Sequence, residues 1–452
     1  MIETPSSARN VVTLAGAAAA VGSGALFGVL FLLQLLDYLT NPYLGLVVFV
    51  ALPFVFVLGL VAIPIGIVWA RHRTAHDQSV WPRIDLNVPA QRRLAGVVAV
   101  VSLVNVVILS TASYGAIHYM ESVEFCGTLC HSVMTPEFSS YQASPHAHVL
   151  CVDCHIGSGA ASFAEAKLSG TRQLMRLVTA SHARPIPAPV RSMRPARETC
   201  ERCHWPEKLH GDKIRSFYEF GDDEANTESV TTLRVHVGGG SETLGVATGI
   251  HWHMNVRNVI EYVATDRERQ VIPYVRFRDP DGTVREFVAP GADVEALRAT
   301  TLRRMDCMDC HNRPAHTFVP SPERAVDQAL AIGRLDRSLP FLRRELVTAL
   351  EGGYPDESAA REAIGRALGE FYRVEYPDVA AGQQPAIARA VDVGVTLYGQ
   401  NVFPDMKVSW GTYPNELGHT DFPGCFRCHD DEHQAADGSM IRQDCEICHD
   451  FD

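Results

Sequence analysis

No cysteine in this 452-residue sequence stands alone, because all 12 fall into six close pairs. A disulfide framework suits a short secreted chain, not one of this length. A thioredoxin-like redox pair would occur once, on a βαβ unit. Basic charge is also scarce. The formal net charge is −12, and residues 121–452 hold 34 Arg and Lys against 48 Asp and Glu. Such acidity argues against nucleic acid as a partner; it suits a cationic redox partner, or simply keeps the domain soluble. The three long apolar stretches near the N-terminus carry almost no ionisable residue and no histidine pair, which leaves no ligands for a b-type haem inside a membrane. The first stretch lacks the short length and the basic flank of a cleaved signal peptide, so it is read as a retained helix.

What the sequence does have is a repeated motif. The second cysteine of every pair is followed directly by histidine. Five pairs read Cys-x-x-Cys-His: Cys151/Cys154/His155, Cys200/Cys203/His204, Cys307/Cys310/His311, Cys425/Cys428/His429 and Cys445/Cys448/His449. The first has one extra residue, Cys126/Cys130/His131. This is the pattern of c-type haem attachment, in which two thiols bond the porphyrin and the adjacent histidine ligates iron. Zinc sites use Cys-x-x-Cys too. They need four ligands, however, and give no reason for a histidine after each second cysteine. Six covalent haems c are therefore expected.

The apolar stretches run over 11–36, 46–70 and 94–120, each long enough for the ~20 residues that cross a hydrocarbon core. Arg71, Arg73, Arg83, Arg92 and Arg93 lie between the second and third, whereas the first connection has only Asp37. Basic loops stay in the cytoplasm. The N-terminus is then inside, and everything after Met120 is outside, where c-type haem is attached.

The expected fold is mostly α with a loop-rich, haem-packed region: three transmembrane helices, then an exterior multihaem domain with a small β-insert. Residues 1–120 form a three-helix membrane anchor, 121–227 a trihaem domain, 228–300 the β-insert, and 301–452 a C-terminal trihaem domain with a helical bridge. Alternation at 231–237, 270–277 and 283–288 around Asp279-Pro280-Asp281-Gly282 marks strands and a hairpin turn. Apolar steps of three and four over 322–333, 339–350, 357–372 and 386–398 predict the bridge helices.

The stretch 124–157 resembles the NapC/NirT family of membrane-anchored multihaem quinol dehydrogenases. It reads Glu124-Phe-Cys-Gly-Thr-Leu-Cys-His-Ser-Val-Met-Thr-Pro-Glu137, then Ser144-Pro145-His146 and Cys151-Val-Asp-Cys-His-Ile156. Cys200-Glu-Arg-Cys-His-Trp-Pro-Glu207 is similar to that family's next haem segment. The remainder looks like the longer, ImcH-like inner-membrane cytochromes of metal-respiring bacteria. The runs that carry this are Gly249-Ile-His-Trp-His253, Cys307-Met-Asp-Cys-His-Asn-Arg-Pro-Ala-His316 and Gly424-Cys-Phe-Arg-Cys-His-Asp430. The resemblance implies oxidation of menaquinol or ubiquinol beside the haem nearest the membrane. It also implies a bacterial inner membrane with the haem domain on the periplasmic side, and delivery to a periplasmic cytochrome or other redox partner. Met134 matches the family's axial methionine at the first haem, and Lys167 matches its quinol-pocket lysine. The chain departs from the pattern in having Gln173 and Leu174 where the family places an acidic residue. It also has three spans rather than one, six haems rather than four, and an expanded first motif.

Six histidines are proximal ligands by position. Those that remain on the exterior side supply candidates for the opposite face of each iron: His146, His148, His182, His210, His251, His253, His316, His419 and His433. Each has the alternative of a surface or propionate-bonding role. The leading functional reading is a quinol-oxidising electron conduit. A multihaem reductase of a small oxyanion such as nitrite, which would need one open iron face, is the alternative. A third reading is an electron-wiring subunit of a larger respiratory or photosynthetic membrane complex.

Overall fold

The computed structural model describes residues 10–35, 44, 47–74, 86–129, 131–156, 160–190, 193–205, 209–239, 248–255 and 257–451. The chain divides into two compact units, residues 1–131 and 132–452.

The first unit is built from α1 (Val11–Leu35), α2 (Leu52–Thr74) and α3 (Pro89–Glu121). Three helices are long and apolar enough to cross a membrane, at Val11–Leu33, Val47–Ala70 and Pro89–Glu121, in line with the sequence pattern. Lipid gives no hydrophobic force to drive helices together, so small residues that permit close backbone approach carry the packing. A Cβ on Gly16 would lie 2.8 Å from the Gly59 carbonyl oxygen, and one on Gly59 would lie 2.7 Å from the Ala20 nitrogen. Asn10 Nδ2 adds a polar tie, donating to the Gly66 carbonyl at 2.9 Å. Phe27, Val48, Phe49 and Ala112 pack into a second contact that brings in α3. Large apolar side chains such as Val21, Val29 and Leu103 are left on the outer faces, as a lipid-facing surface requires.

The second unit begins with short helices in a loop-rich stretch: α4 (His131–Gln142), α5 (Cys151–His155), α6 (Ala160–Val178) and α7 (Ala196–Cys200). Strands β1 (Asp212–Phe220) and β2 (Glu228–His236) make an antiparallel hairpin. Strand content thus starts before residue 228, the beginning assigned to the β-insert from sequence. The mostly exposed, weakly alternating β1 gave no apolar period to read. The hairpin is joined by β7 (His449–Phe451), with Val235 opposite His449. A second sheet has β3 (Val259–Val263), β4 (Tyr274–Arg278), β5 (Val284–Val288) and β6 (Arg303–Arg304), in the order β5-β4-β3-β6. The expected turn closes β4 on β5. Gly282 takes φ 92°, a conformation that favours glycine, and Thr283 N–H donates to Asp281 Oδ1 at 2.9 Å.

The bridge helices are Pro322–Ala331, Leu342–Leu350, Glu357–Glu375, Pro377–Gly382 and Gln384–Asn401. Leu342, Leu346, Leu350, Ile364, Leu368 and Tyr372 are fully buried among them. Each such side chain contributes roughly 1.5–3 kcal/mol of transfer free energy. This is the part of the second unit with an ordinary aliphatic core. The sheet β3–β6 has a smaller one, around Tyr262, Val275, Phe277 and Phe287.

Candidate haem centres

Each attachment motif of the second unit coils into a single turn. His204 N–H donates to Cys200 O at 2.8 Å, His311 N–H to Cys307 O at 2.8 Å, and His429 N–H to Cys425 O at 3.0 Å. Aspartates start two of the turns: Asp306 accepts from Met308 N–H at 2.9 Å and Asp444 from Glu446 N–H at 3.2 Å. A one-turn coil brings both sulfurs and the next side chain to one end of the turn, as a two-point tether beside a ligand demands.

Not every attachment thiol lies in the enclosed surroundings that a haem-packed region implies. Cys310 and Cys428 do, and burial pushes both thiols up to about 12. Cys203 and Cys445 differ, since both are exposed. Cys203 lies at the domain surface. The physical reason is local. The Cys203 N–H closes the turn on Cys200 O at 3.1 Å, and the neighbouring Arg202, His204 and Trp205 are exposed with it. Surface position does not remove Cys203 from the attachment set, because a thioether is a covalent bond and needs no burial to hold.

Five attachment histidines face other histidines. Ring centres are 6.2 Å apart for His155 and His316, 6.1 Å for His204 and His146, and 6.3 Å for His311 and His251. They are 5.8 Å apart for His429 and His253, and 6.2 Å for His449 and His419. Direct stacking would bring imidazoles closer. Two imidazoles that share one metal at about 2 Å each, with ring centres about 1.1 Å behind the nitrogens, stand roughly 6.2 Å apart.

Hydrogen bonds fix which nitrogen is available. Nδ1 faces a backbone carbonyl in His146 (Pro314, 3.0 Å), His251 (Val237, 2.9 Å), His253 (Ile250, 2.9 Å), His316 (Glu137, 3.0 Å) and His429 (Arg442, 2.9 Å). A carbonyl only accepts, so Nδ1 carries the hydrogen and Nε2 keeps its lone pair, the arrangement of a metal-binding histidine. Burial lowers the pKa of His253, with the facing His429 ring acting in the same direction, so the ring is held neutral. Among the described residues no three His, Cys, Asp or Glu side chains converge as a protein-only metal site would need. The donors come in facing pairs instead, which fits a planar macrocycle that brings four nitrogens of its own.

Other candidates are placed differently. His433 is 2% exposed; its Nδ1 lies 2.9 Å from Asp430 Oδ2 and its Nε2 lies 2.7 Å from Ile272 O. Both ring nitrogens are thus engaged within the protein, which favours a structural role for His433 over the expected ligand role. His148 and His210 are exposed, and neither faces an attachment histidine among the described ring contacts. His182 Nε2 accepts from Arg184 Nε at 3.0 Å. Met134 lies on α4, three positions after His131. Cys130 and the side chains of His131 and Lys167 lie outside the described residues.

The five later motifs also succeed one another in space in the order of the sequence. Cys154 lies near Cys200, Cys200 lies beside Cys307, Cys310 lies near Cys425 and Cys428, and Cys448 lies near Cys425. A buried polar lock joins the fourth motif to the fifth, and sequence reasoning missed it. Arg427, inside the fifth motif, donates to Asp309 O at 2.6 Å and Arg269 O at 2.9 Å, and pairs with Glu416 at 2.9 Å. The Asp309 carboxylate, inside the fourth motif, accepts from Tyr262 at 2.6 Å, Arg303 at 2.9 Å and Arg269 at 3.0 Å. The signal in the sequence was a charged residue between the two cysteines of each motif, where attachment chemistry asks for none. His316 has a similar support: Glu137 lies 3.5 Å from Arg313, whose guanidinium stacks 3.8 Å from the centre of the Tyr413 ring.

Comparison with known proteins bears on these centres. Residues 88–185 match the N-terminal region of the NapC/NirT cytochrome c family. The chain is 40% identical over 448 residues to the cytochrome c-type protein ImcH of Geobacter sulfurreducens, covering 98% of this chain and 88% of that protein. No solved structure matches the chain.

Proposed function

Because this chain belongs to the NapC/NirT cytochrome c family, as a membrane-anchored multihaem cytochrome of electron transfer with haem c attached covalently, we propose that it oxidises membrane quinol and passes the electrons to a soluble redox partner on the periplasmic side. It holds six haems c, one at each Cys-His motif. Five are ligated by histidine on both faces, in the pairs 155/316, 204/146, 311/251, 429/253 and 449/419. What carries this reading is the set of five facing imidazole pairs, each with a centre-to-centre gap of 5.8–6.3 Å.

Bound haem c supplies one-electron redox chemistry at a potential set by axial ligands, burial and hydrogen bonding. The chain's own residues do the rest. Backbone carbonyls aim the Nε2 atoms of His146, His251, His253, His316 and His429. His251 and His253 share the turn Ile250–Met254, so one short segment serves both the fourth and the fifth centres. The Arg427–Asp309 lock holds those two motifs at a fixed separation. The first centre differs, with His131 as its attachment-side ligand and Met134 as the other. Methionine raises a potential relative to histidine, which suits the point of electron entry. Lys167 donates to a quinol oxygen or takes up one of the two protons that quinol releases. The oxyanion-reductase reading requires an open iron face, and the five histidine pairs give it no support at motifs two to six.

The test uses the full-length holoprotein in lipid nanodiscs. Reduced menaquinol or ubiquinol analogues should reduce the haems, and Lys167→Ala should slow that reduction while leaving the haem content and the dithionite-reduced spectrum unchanged. Haems that dithionite reduces and no quinol does would end the quinol proposal.

A further inference from the structure

Helix α6 (Ala160–Val178) has an outer face that the fold does not cover. Leu168 is 66% exposed, Leu174 52%, Met175 60% and Val178 74%. At the helical period these four fall within about a third of the circumference, together with Ala164. Single exposed apolar residues need no explanation, but a contiguous stripe of large ones on a soluble surface does. The opposite side, with Ala166 and Leu177, is the less exposed one. The apolar stripe therefore points away from the domain.

The charge on this helix also runs against its surroundings. Residues 160–178 hold Lys167, Arg172 and Arg176 against Glu165 alone, in an exterior domain with 34 basic and 48 acidic residues. Arg172 and Arg176 are four positions apart and border one flank of the stripe. A large apolar face edged by basic side chains is the composition of a helix lying in a lipid–water interface. Anionic headgroups complement the arginines, and the acyl boundary takes the leucines, methionine and valine.

We propose that α6 lies on the membrane as an interfacial helix, with Leu168, Leu174, Met175 and Val178 in the acyl–headgroup boundary and Arg172 and Arg176 against anionic headgroups. This contact is separate from the three apolar spans and does not depend on what the protein oxidises. The chain is already tethered to a bilayer, so the helix needs only to hold the haem domain down, at no cost in free diffusion.

The test places the full-length holoprotein in nanodiscs of phosphatidylcholine with phosphatidylglycerol, the latter carrying a photoactivatable group on its acyl chain. After illumination, lipid adducts are mapped by mass spectrometry, with the spans as internal positive control. Adducts are expected on the 160–178 peptide. The triple variant Leu168→Ser, Met175→Ser, Val178→Ser should lose them roughly tenfold, since three large apolar side chains leave the interface. The spans should label as before, and the haem count should be unchanged. If that variant loses haem, Arg172→Gln with Arg176→Gln keeps the question open to measurement. It should lower the yield on this peptide in anionic discs and leave it unchanged in discs of phosphatidylcholine that itself carries the photoactivatable group. A wild-type peptide free of lipid adducts beside labelled spans overturns the proposal.

Discussion

His253 and His433 show how alike two histidines look in a sequence and how differently they are used. Both lie near a haem motif or another histidine, and both are sheltered from solvent. His253 bonds through Nδ1 alone and turns its other edge to His429. His433 bonds through both nitrogens. The His253→Ala holoprotein is expected to show one high-spin ferric haem by electron paramagnetic resonance. His433→Ala should keep the wild-type ligand field and instead lose about 1–3 kcal/mol of stability from stranded acceptors. A high-spin signal from the second variant would reverse the assignment. The twelve attachment cysteines and six following histidines were legible in the sequence because covalent attachment fixes their spacing. Their surroundings were not: Cys203 is exposed and Cys310 is enclosed, although both are the second thiol of the same motif. The opposite ligands were legible only as a pool. His316 faces a histidine 161 positions earlier, and nothing in local spacing encodes a contact over that distance. The same holds for Arg427 and Asp309, whose meeting depends on two motifs being neighbours in space.

At the scale of elements, the spans followed the length of their apolar runs and the bridge helices their apolar periods to within a few residues, because lipid asks for an apolar surface all round and a packed bundle asks for a buried stripe. The sheet of β1, β2 and β7 was only partly foreseen. Its third strand is three residues long and contains the last attachment histidine. His236 ties the sheet together, with Nδ1 3.0 Å from Asp212 on β1 and Nε2 3.5 Å from Asp450 on β7. The Asp212 hydrogen bond, helped by the charge of Asp450, raises the His236 pKa above its ordinary value. A raised histidine stabilises the fold fully below its unfolded pKa of about 6.5. That contribution is lost as the pH rises through the folded value. Amide exchange at Asp450 and Phe451, corrected for intrinsic rate, should therefore be slower at low pH and quicken above the neutral range. His236→Gln should flatten the profile, and an identical profile in that variant would remove His236 from the account.

The whole molecule joins two kinds of packing, lipid-facing helices with few charges and an acidic domain in which the cysteine turns and facing imidazoles accompany an aliphatic helical core and a smaller sheet core. Denatured mass spectrometry of the full chain should show six haem additions, with a pyridine haemochrome assay in agreement; five would point to failure at Cys126/Cys130, and four or fewer would overturn the count. The direction in which the pairs run along the chain has a consequence for how such a protein is made. In four of the five pairs the facing histidine comes earlier than the attachment histidine: 146 before 204, 251 before 311, 253 before 429 and 419 before 449. A chain exported from its N-terminus would deliver those partners ahead of the motif that needs them. His155 alone must wait for a later one, His316. During biogenesis the second centre would stand half-finished while residues 156–316 cross the membrane, open to solvent, oxygen and stray ligands. Quality control by the export and haem-ligation machinery would have its longest task there.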